Sequence, residues 1–257
     1  MPDPAAPDWW ISFYDDSFAD VVMDTGEDET ARRTAELLAQ RLALPPGAAV
    51  LDQGCGQGRL SLPLARRGFR VVGVDLSPEY VRRAAERAES ADLPCKFYAA
   101  DAFDFVPDEA CDGAFNWWSS FGYAEEDERN LQMLRRAWEA LRPGGRFALD
   151  YYGAPHLLRT FSAELRLQYR TRSGSAEVLR TGRLEFATGM LEQEWRFADR
   201  KGAEQRRCSR TRLYMPHELC ALARRAGFVD PEVYSDLEQA PFTLASPRCV
   251  LLARKPE

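Results

Sequence analysis

The sequence predicts an α/β fold in which the first 150 residues form a doubly wound, mostly parallel sheet. Short apolar runs alternate with segments whose apolar residues recur at helical spacing, a pattern typical of parallel strands joined by right-handed crossovers. A glycine-rich turn stands between the first apolar run and the helix after it. After residue 150 the pattern changes to long segments of alternating residues, which predicts an antiparallel β insertion over about 160–214. We expect one domain over residues 1–257.

Local sequence patterns predict the helices and strands of this fold. A helix is predicted over 30–43, and the helix after the glycine turn is expected to start late because of Pro63. Ser77 and Pro78 are typical of an N-cap and the first helical position. A final helix is predicted over 216–226. Seven strands are predicted, at 48–52, 70–75, 96–99, 113–116, 146–151, 232–234 and 249–253.

The insertion contains four segments with partial alternation, at 165–172, 176–186, 190–198 and 204–214. Aromatic and apolar side chains recur on one side of them, at Leu167, Tyr169, Trp195 and Phe197. We expect this insertion to cap a pocket and to provide a homo-oligomer contact.

Aromatic residues crowd the N-terminal segment, residues 1–25. Five of them stand within ten positions: Trp9, Trp10, Phe13, Tyr14 and Phe18. Such a cluster must be buried, either as a helix docked on the core or as a helical lid over a ligand, and the two interpretations are compatible. A lid would exclude water and bring Tyr14 to the reacting atoms.

The amino-acid composition disfavours several classes of binding partner, namely nucleic acid, membranes and metal ions. The formal net charge of −6 argues against nucleic acid as the main substrate, and the arginine-rich stretch 206–212 is interpreted as a solvated strand face. No apolar run is long enough to span a bilayer, and residues 1–7 do not read as a signal peptide. The six cysteines form no C-x-x-C pair and there are two histidines, so we expect no metal site and a reduced, cytoplasmic protein.

The glycine turn reads Asp-Gln-Gly-Cys-Gly-Gln-Gly over residues 52–58. Its third glycine comes one position too early for a dinucleotide site. Asp75 ends the next strand, where a carboxylate can accept both hydroxyls of a ribose, and Asp101 ends the third strand, where an adenine amino group needs an acceptor. Each feature alone could serve only a turn or a solvated surface. Together, at consecutive strand ends, they predict a site for a nucleoside-like ligand.

Four segments carry a resemblance: VLDQGCGQGRLSLPLARRG, VVGVDLSPEYV, AADAFDF and LRPGG. Over roughly residues 48–150 the chain resembles class I S-adenosylmethionine (SAM)-dependent methyltransferases. The resemblance implies a Rossmann-like fold with a seven-stranded sheet and SAM as the cofactor. Gln53 departs from the family pattern, which usually has an apolar residue there.

The resemblance also implies roles for the residues around the glycine turn. The methionyl part of SAM would lie against Gly54 and Gly56, with Asn116 nearby, and Asp52 would order the turn or bind the amino group. Asp75 would hold the ribose, with Leu76 beside the adenine. Asp101 would approach the adenine amino group, and the backbone N–H of Ala102 would donate to the ring.

A looser resemblance concerns the acceptor. WWISFYDD, NWWSSFGY and the β-rich insertion before LYMPHEL resemble small-molecule N-methyltransferases of the lincosamide-tailoring and glycine-methylating type. It implies a small-molecule acceptor, an amine methylated by in-line displacement in a closed aromatic pocket, and a place in secondary metabolism. We expect Trp117 in the core. The candidate substrate-binding residues are Trp10, Trp118, Phe121, Tyr152, Tyr169 and Trp195, and the candidate catalytic residues are Tyr14, Phe121 and His156.

Three alternatives stay open at this point. The methyl group could go to oxygen or carbon, and the SAM-binding fold could serve non-methyl chemistry or partner binding. A nicotinamide oxidoreductase is disfavoured by the early third glycine.

Overall fold

The computed structural model describes residues 8–23, 29–171 and 174–257. Parts of the predicted lid, residues 1–7 and 24–25, and the end of one predicted strand, Arg172, lie outside them. The chain forms two units, which are described separately. The larger contains Glu29–Phe121, Glu126–Arg159 and Tyr214–Glu257, and the smaller contains the N-terminal segment, Gly122–Glu125 and Thr160–Leu213.

The larger unit is built on a seven-stranded sheet, as predicted. Its first strand β1 is buried along its whole length, because both faces of a central parallel strand are covered. The spatial order is β10-β11-β5-β4-β1-β2-β3, with β11 antiparallel to both of its neighbours. The strands are β1 (Ala49–Gln53), β2 (Arg70–Asp75), β3 (Cys95–Ala99), β4 (Cys111–Asn116), β5 (Leu141–Tyr152), β10 (Val229–Tyr234) and β11 (Arg248–Arg254).

Six helices accompany this sheet among the described residues: α3 (Glu29–Arg41), α4 (Ser61–Arg66), α5 (Pro78–Ser90), α6 (Asp127–Ala140), α7 (Ala154–Thr160) and α8 (Pro216–Ala226). The Ser77 side chain accepts the Tyr80 N–H at 3.3 Å, which confirms the predicted cap of α5. Helix α4 begins only at Ser61, so Pro63 falls in its first turn, where a missing N–H costs no helical hydrogen bond. The short helix α7 was not predicted.

The core of the larger unit joins α3 and α4 to the middle of the sheet. Ala35 and Leu38 of α3 are buried with Val50 of β1 and Phe115 of β4. Trp117 belongs to the same cluster with 8% of its surface exposed, which confirms its predicted place in the core. This packing fixes the strand ends from which the site residues emerge.

The smaller unit is built on a four-stranded antiparallel sheet, as predicted for the insertion. Its strands are β6 (Glu164–Thr171), β7 (Gly174–Glu185), β8 (Met190–Ala198) and β9 (Glu204–Arg212). Each strand pairs with the next one in sequence, in the antiparallel sense and without a shift of register. The predicted homo-oligomer contact of this insertion stays a prediction.

The N-terminal aromatic segment packs on this small sheet. It forms two short helices, α1 (Trp10–Phe13) and α2 (Asp16–Phe18), followed by a π-helical turn at Ala19–Met23. Phe13 packs on Trp195 and Phe18 packs on Phe197, both of β8. The Trp9 indole donates to the Arg210 carbonyl at 2.8 Å. The described part of the segment is therefore docked on the insertion, and its opening as a lid stays a prediction.

No helix within the three described ranges has the length and apolar character needed to cross a bilayer.

Replacing Phe13 by alanine tests the docking of the N-terminal segment. Phe13 is 3% exposed, whereas Ile11 of the same helix is 64% exposed. We expect Phe13→Ala to lower the free energy of unfolding of the smaller unit by about 3 kcal/mol, the usual cost of removing a buried aromatic ring. The matched Ile11→Ala variant should change it by less than about 0.5 kcal/mol. Urea unfolding followed by near-ultraviolet circular dichroism measures both, and equal losses would contradict this packing.

Candidate cofactor and acceptor site

The candidate site lies where the strand order of the larger sheet reverses. From β1 the chain moves outward to β2 and β3, then returns to β4 on the other side of β1. In open α/β sheets the carboxyl ends of the two strands at such a point border a ligand crevice. Gln53 and Asn116 are partners in the parallel register at these ends.

The glycine turn after β1 takes a backbone shape that side chains disfavour. Gly54, Gly56 and Gly58 have φ angles of 72°, 54° and 78°, all in the left-handed region. A Cβ at Gly54 would lie 2.8 Å from the Cβ of Ser120. The turn after β1 therefore packs directly on the turn after β4, and the two form one edge of the crevice.

Asp75, at the end of β2, holds the glycine turn from the other side. Its Oδ2 accepts the Gly56 N–H and its Oδ1 accepts the Ser77 N–H, each at 2.9 Å. Burial raises the pKa of this carboxyl group, and the two N–H donors oppose the rise. Each oxygen of an ionised carboxylate has a second lone pair, so Asp75 retains the capacity to accept ribose hydroxyls.

Asp52 lies beneath the turn, with 3% of its surface exposed. Its Oδ2 accepts a 2.6 Å hydrogen bond from the Ser61 hydroxyl. Burial raises the pKa of Asp52 to about 7, with a further rise from the charge of Asp75 and an opposing effect of Ser61. This geometry fits the role of ordering the turn.

Asp101 follows β3 and is fixed by two donors. Its Oδ1 accepts the Phe103 N–H at 2.9 Å, and its Oδ2 lies 3.4 Å from Arg129 Nη2. The Arg129 guanidinium also lies 4.5 Å from the centre of the Phe103 ring. Ala102 is buried and Leu76 is partly buried. These positions are compatible with an adenine site, which stays a prediction.

Two buried amide groups face α6 beside the crevice. Gln53 Nε2 donates to the Met133 carbonyl at 3.1 Å, and Asn116 Nδ2 donates to the Ser120 carbonyl at 3.0 Å. No described residue donates to Gln53 Oε1 or Asn116 Oδ1. A buried acceptor without a donor costs about 1–3 kcal/mol, so this place favours a ligand N–H or a bound water. The ammonium group of SAM supplies such a donor, which fits the role that the resemblance implies for Asn116.

The aromatic residues after β4 have different environments. Trp118 is 41% exposed, with the Arg59 guanidinium 4.3 Å from the centre of its ring. Phe121 is 1% exposed and packs against Tyr151 and Tyr214. Phe121 was expected to line a pocket, but its apolar neighbours place it in the core, and its contact with a substrate stays a prediction.

The remaining predicted residues divide between the two units. Tyr152 ends β5 and His156 lies on α7, both half-buried, in the larger unit. In the smaller unit the Tyr14 hydroxyl lies 2.6 Å from that of Tyr123, an aromatic residue of the run after β4. The aromatic cluster of that unit contains the other three candidates, Trp10, Tyr169 and Trp195. Their roles toward a ligand stay predictions.

Sequence reasoning missed several partners of the site residues: Ser61 beside Asp52, Arg129 beside Asp101, and the pair Asp150 and Arg248 beside Trp118. The signals for Asp150 and Arg248 were charged residues within or beside apolar strands, in FALDYY and RCVLLAR. Within the described ranges no group of three or more His, Cys, Asp or Glu side chains is arranged to hold a metal ion.

Gly54→Ala tests the close approach of the two turns. We expect it to weaken binding of S-adenosylhomocysteine, the demethylated product of SAM, by at least about tenfold, because the new Cβ pushes the glycine turn away from Ser120. Gly47→Ala is the matched control, since Gly47 has a φ of 74° and no atom within 4 Å of the added Cβ. Calorimetric titration measures both affinities, and equal losses would attribute the effect to φ alone.

Asp52→Asn tests the raised pKa. The folded state binds a proton more tightly than the unfolded chain, whose Asp pKa is about 3.9, so the contribution of Asp52 to stability declines as the pH rises from about 4 to about 7. The variant should lose this decline and unfold with a flatter pH dependence than the wild type. Urea unfolding across this range checks it, with the exposed carboxylate variant Asp108→Asn as control. An unchanged slope in Asp52→Asn would show that Asp52 ionises normally.

Comparison with known proteins agrees with this geometry. A family model described as a methyltransferase domain matches residues 50–145. The ubiquinone biosynthesis O-methyltransferase of Xanthomonas campestris pv. campestris (strain B100) is 30% identical over 177 residues, covering 63% of this chain and 73% of that protein. The S-adenosyl-L-methionine-dependent Diels-Alderase iccD of Talaromyces variabilis is 40% identical over 127 residues, covering 48% of this chain. The chain spans less than half, 42%, of that relative.

Solved structures share the fold. The CcbJ methyltransferase from Streptomyces caelestis superposes with a TM-score of 0.79 at 22% identity, covering 96% of this chain and 99% of that one. The sugar N-methyltransferase KedS8 from Streptoalloteichus sp ATCC 53650 has a TM-score of 0.71 at 20% identity, covering 100% and 96%. The O-methyltransferase relative at 30% identity, matched over 73% of its length, and the methyltransferase domain at residues 50–145 show that the chain belongs to the class I SAM-dependent methyltransferases.

Proposed function

We propose that the protein transfers the methyl group of SAM to an amine nitrogen of a small-molecule acceptor. The main support for SAM as the cofactor is that Asp75 accepts the backbone N–H groups of both Gly56 and Ser77, at the point where the strand order reverses. The amine is supported by the aromatic runs in the sequence and by the name of one structural neighbour, a sugar N-methyltransferase.

The residues of the larger unit would act by positioning. Bound SAM supplies an electrophilic methyl group on a sulfonium. Asp75 would hold the ribose, and the glycine turn would let the backbone approach the methionyl part closely. Alignment of two reactants supplies on the order of 7–11 kcal/mol of a barrier, so a site of this kind needs few further groups.

The exposed part of Trp118 could serve a small acceptor as an aromatic wall, since 41% of the residue is exposed and the Arg59 guanidinium lies 4.3 Å from the centre of its ring. A neutral amine carries its own lone pair, so it needs only a route for one proton. His156, on α7 directly after β5, is the proposed proton acceptor among the candidates.

A second function is favoured by one specific observation. The relative with 40% identity is a SAM-dependent Diels-Alderase, so a chain similar to this one carries a name for chemistry other than methyl transfer. In that case this chain would bind SAM without consuming it, and the region proposed here for the methyl acceptor would bind a reacting diene.

Methyl-labelled SAM separates the two functions. We expect label to move to small amines, amino sugars among them, with equal formation of S-adenosylhomocysteine. Matched acceptors in which a hydroxyl replaces the amine should receive none, because a hydroxyl needs stronger activation. Label on the hydroxyl compounds would indicate an O-methyltransferase. Tight SAM binding with no turnover on any acceptor would favour the second function.

Asp75→Ala tests the cofactor assignment itself. The variant should weaken SAM binding by about 10- to 100-fold, since it removes charge-assisted hydrogen bonds. Calorimetry with SAM and with NAD measures this, and the control Asp108→Ala changes an exposed carboxylate elsewhere. An unchanged SAM affinity would show that the ribose is held by other groups, and NAD binding in place of SAM would overturn the proposal.

A further inference from the structure

The turn after β4 contains two consecutive residues in a disfavoured backbone region. Trp118 and Ser119 have φ angles of 55° and 62°, although neither is glycine. Residues of this kind persist only where the surrounding structure holds them, and they concentrate at functional sites.

An ion pair between a buried carboxylate and a partly exposed arginine holds the turn. Asp150 of β5 is 3% exposed; its Oδ2 accepts the Trp118 N–H at 3.0 Å and its carbonyl accepts the Ser119 N–H at 3.2 Å. Arg248, the first residue of β11, donates from Nε to Asp150 Oδ1 at 2.8 Å and from Nη2 to the Ser119 hydroxyl at 2.8 Å. The two residues of the ion pair thus form hydrogen bonds with the backbone N–H groups of Trp118 and Ser119 and with the Ser119 hydroxyl.

The turn stands at the edge of the crevice. It follows Asn116, the last residue of β4, and its Ser120 lies against Gly54 of the glycine turn. Trp117 is in the core, but 41% of Trp118 is exposed, and Arg59 contacts its ring from the segment just after the glycine turn. A large aromatic side chain is therefore held outside the core beside the proposed reaction site.

We infer that Asp150 and Arg248 are positioning residues that hold the strained turn and thereby present Trp118 as a specificity-determining wall for the acceptor. This inference rests on the proposed methyl transfer. Asp150 and Arg248 make no described hydrogen bond to the glycine turn or to the carboxylates Asp75 and Asp101, so we expect their effect to fall more on the acceptor than on SAM.

A double-mutant cycle followed by circular dichroism tests whether Arg248 positions Trp118, and it needs no acceptor. Arg248→Lys keeps the charge but loses the two-point fork of the guanidinium. It should change the near-ultraviolet circular dichroism of the folded protein, and the same substitution in a Trp118→Phe background should change it far less. The matched control is Arg254→Lys, on the same strand but paired with Asp230 at the surface. Additive spectral changes, or equal changes for Arg254→Lys, would overturn the inference.

Kinetics test the specificity. With the acceptor found by the labelled-SAM assay, Arg248→Lys should raise KM for the acceptor by about tenfold and leave KM for SAM within about twofold. Ser119→Ala, which removes only the hydroxyl that Arg248 contacts, should give a smaller change in the same direction. A shared rise in both KM values, or none, would overturn the inference.

The two tests also separate this inference from the proposed function. If no acceptor is methylated, the proposed function fails, while the spectral cycle still decides whether the ion pair positions Trp118. If Arg248→Lys does not fold, the same cycle is run with Ser119→Ala, which leaves the Asp150–Arg248 ion pair intact. Coupling between Ser119→Ala and Trp118→Phe supports the positioning, and strict additivity overturns it.

Discussion

The close approach of the turns after β1 and β4 is the constraint on which the candidate site depends. Gly54 leaves no room for a Cβ against Ser120, and Asp75 holds the far side of the same glycine turn through Gly56. The ends of β1, β2 and β4 are thus linked by direct contacts. The turn that carries Trp118 therefore borders the groups proposed to hold SAM.

This edge of the sheet contains two buried carboxyl groups, Asp52 and Asp150, and the half-buried Asp75. Burial raises the pKa of Asp52, Asp75 and Asp150, and each is stabilised by its own donors: the Ser61 hydroxyl, two backbone N–H groups, and Arg248. Burying a charged group is costly unless it is hydrogen-bonded. Perturbed carboxylates concentrated at one strand edge are typical of a functional site, where stability is given up for polar groups in fixed positions.

Local signals explain which parts of the fold could be predicted. The cap at Ser77, the late start of α4 at Ser61 and the alternating insertion strands depend on neighbours in sequence, so they could be read from it. The partners of the site residues could not. Asp150 and Arg248 are separated by 98 positions and meet only because β11 pairs with β5 in the antiparallel sense. The strain at Trp118 is likewise set by that tertiary contact and leaves no mark in the run NWWSSFGY.

The relatives show why the cofactor residues alone leave the reaction open. An O-methyltransferase and a SAM-dependent Diels-Alderase both share extended similarity with this chain, so the elements common to all three are compatible with more than one chemistry. In-line methyl transfer requires the acceptor atom to lie on the S–CH₃ axis, and an error of about 1 Å costs on the order of 100-fold in rate. The selection of acceptor therefore depends on side chains that border the crevice without holding SAM. Trp118 meets that description, and because its backbone is strained, a relaxed turn would move the wall while the contacts of Asp75 stayed in place.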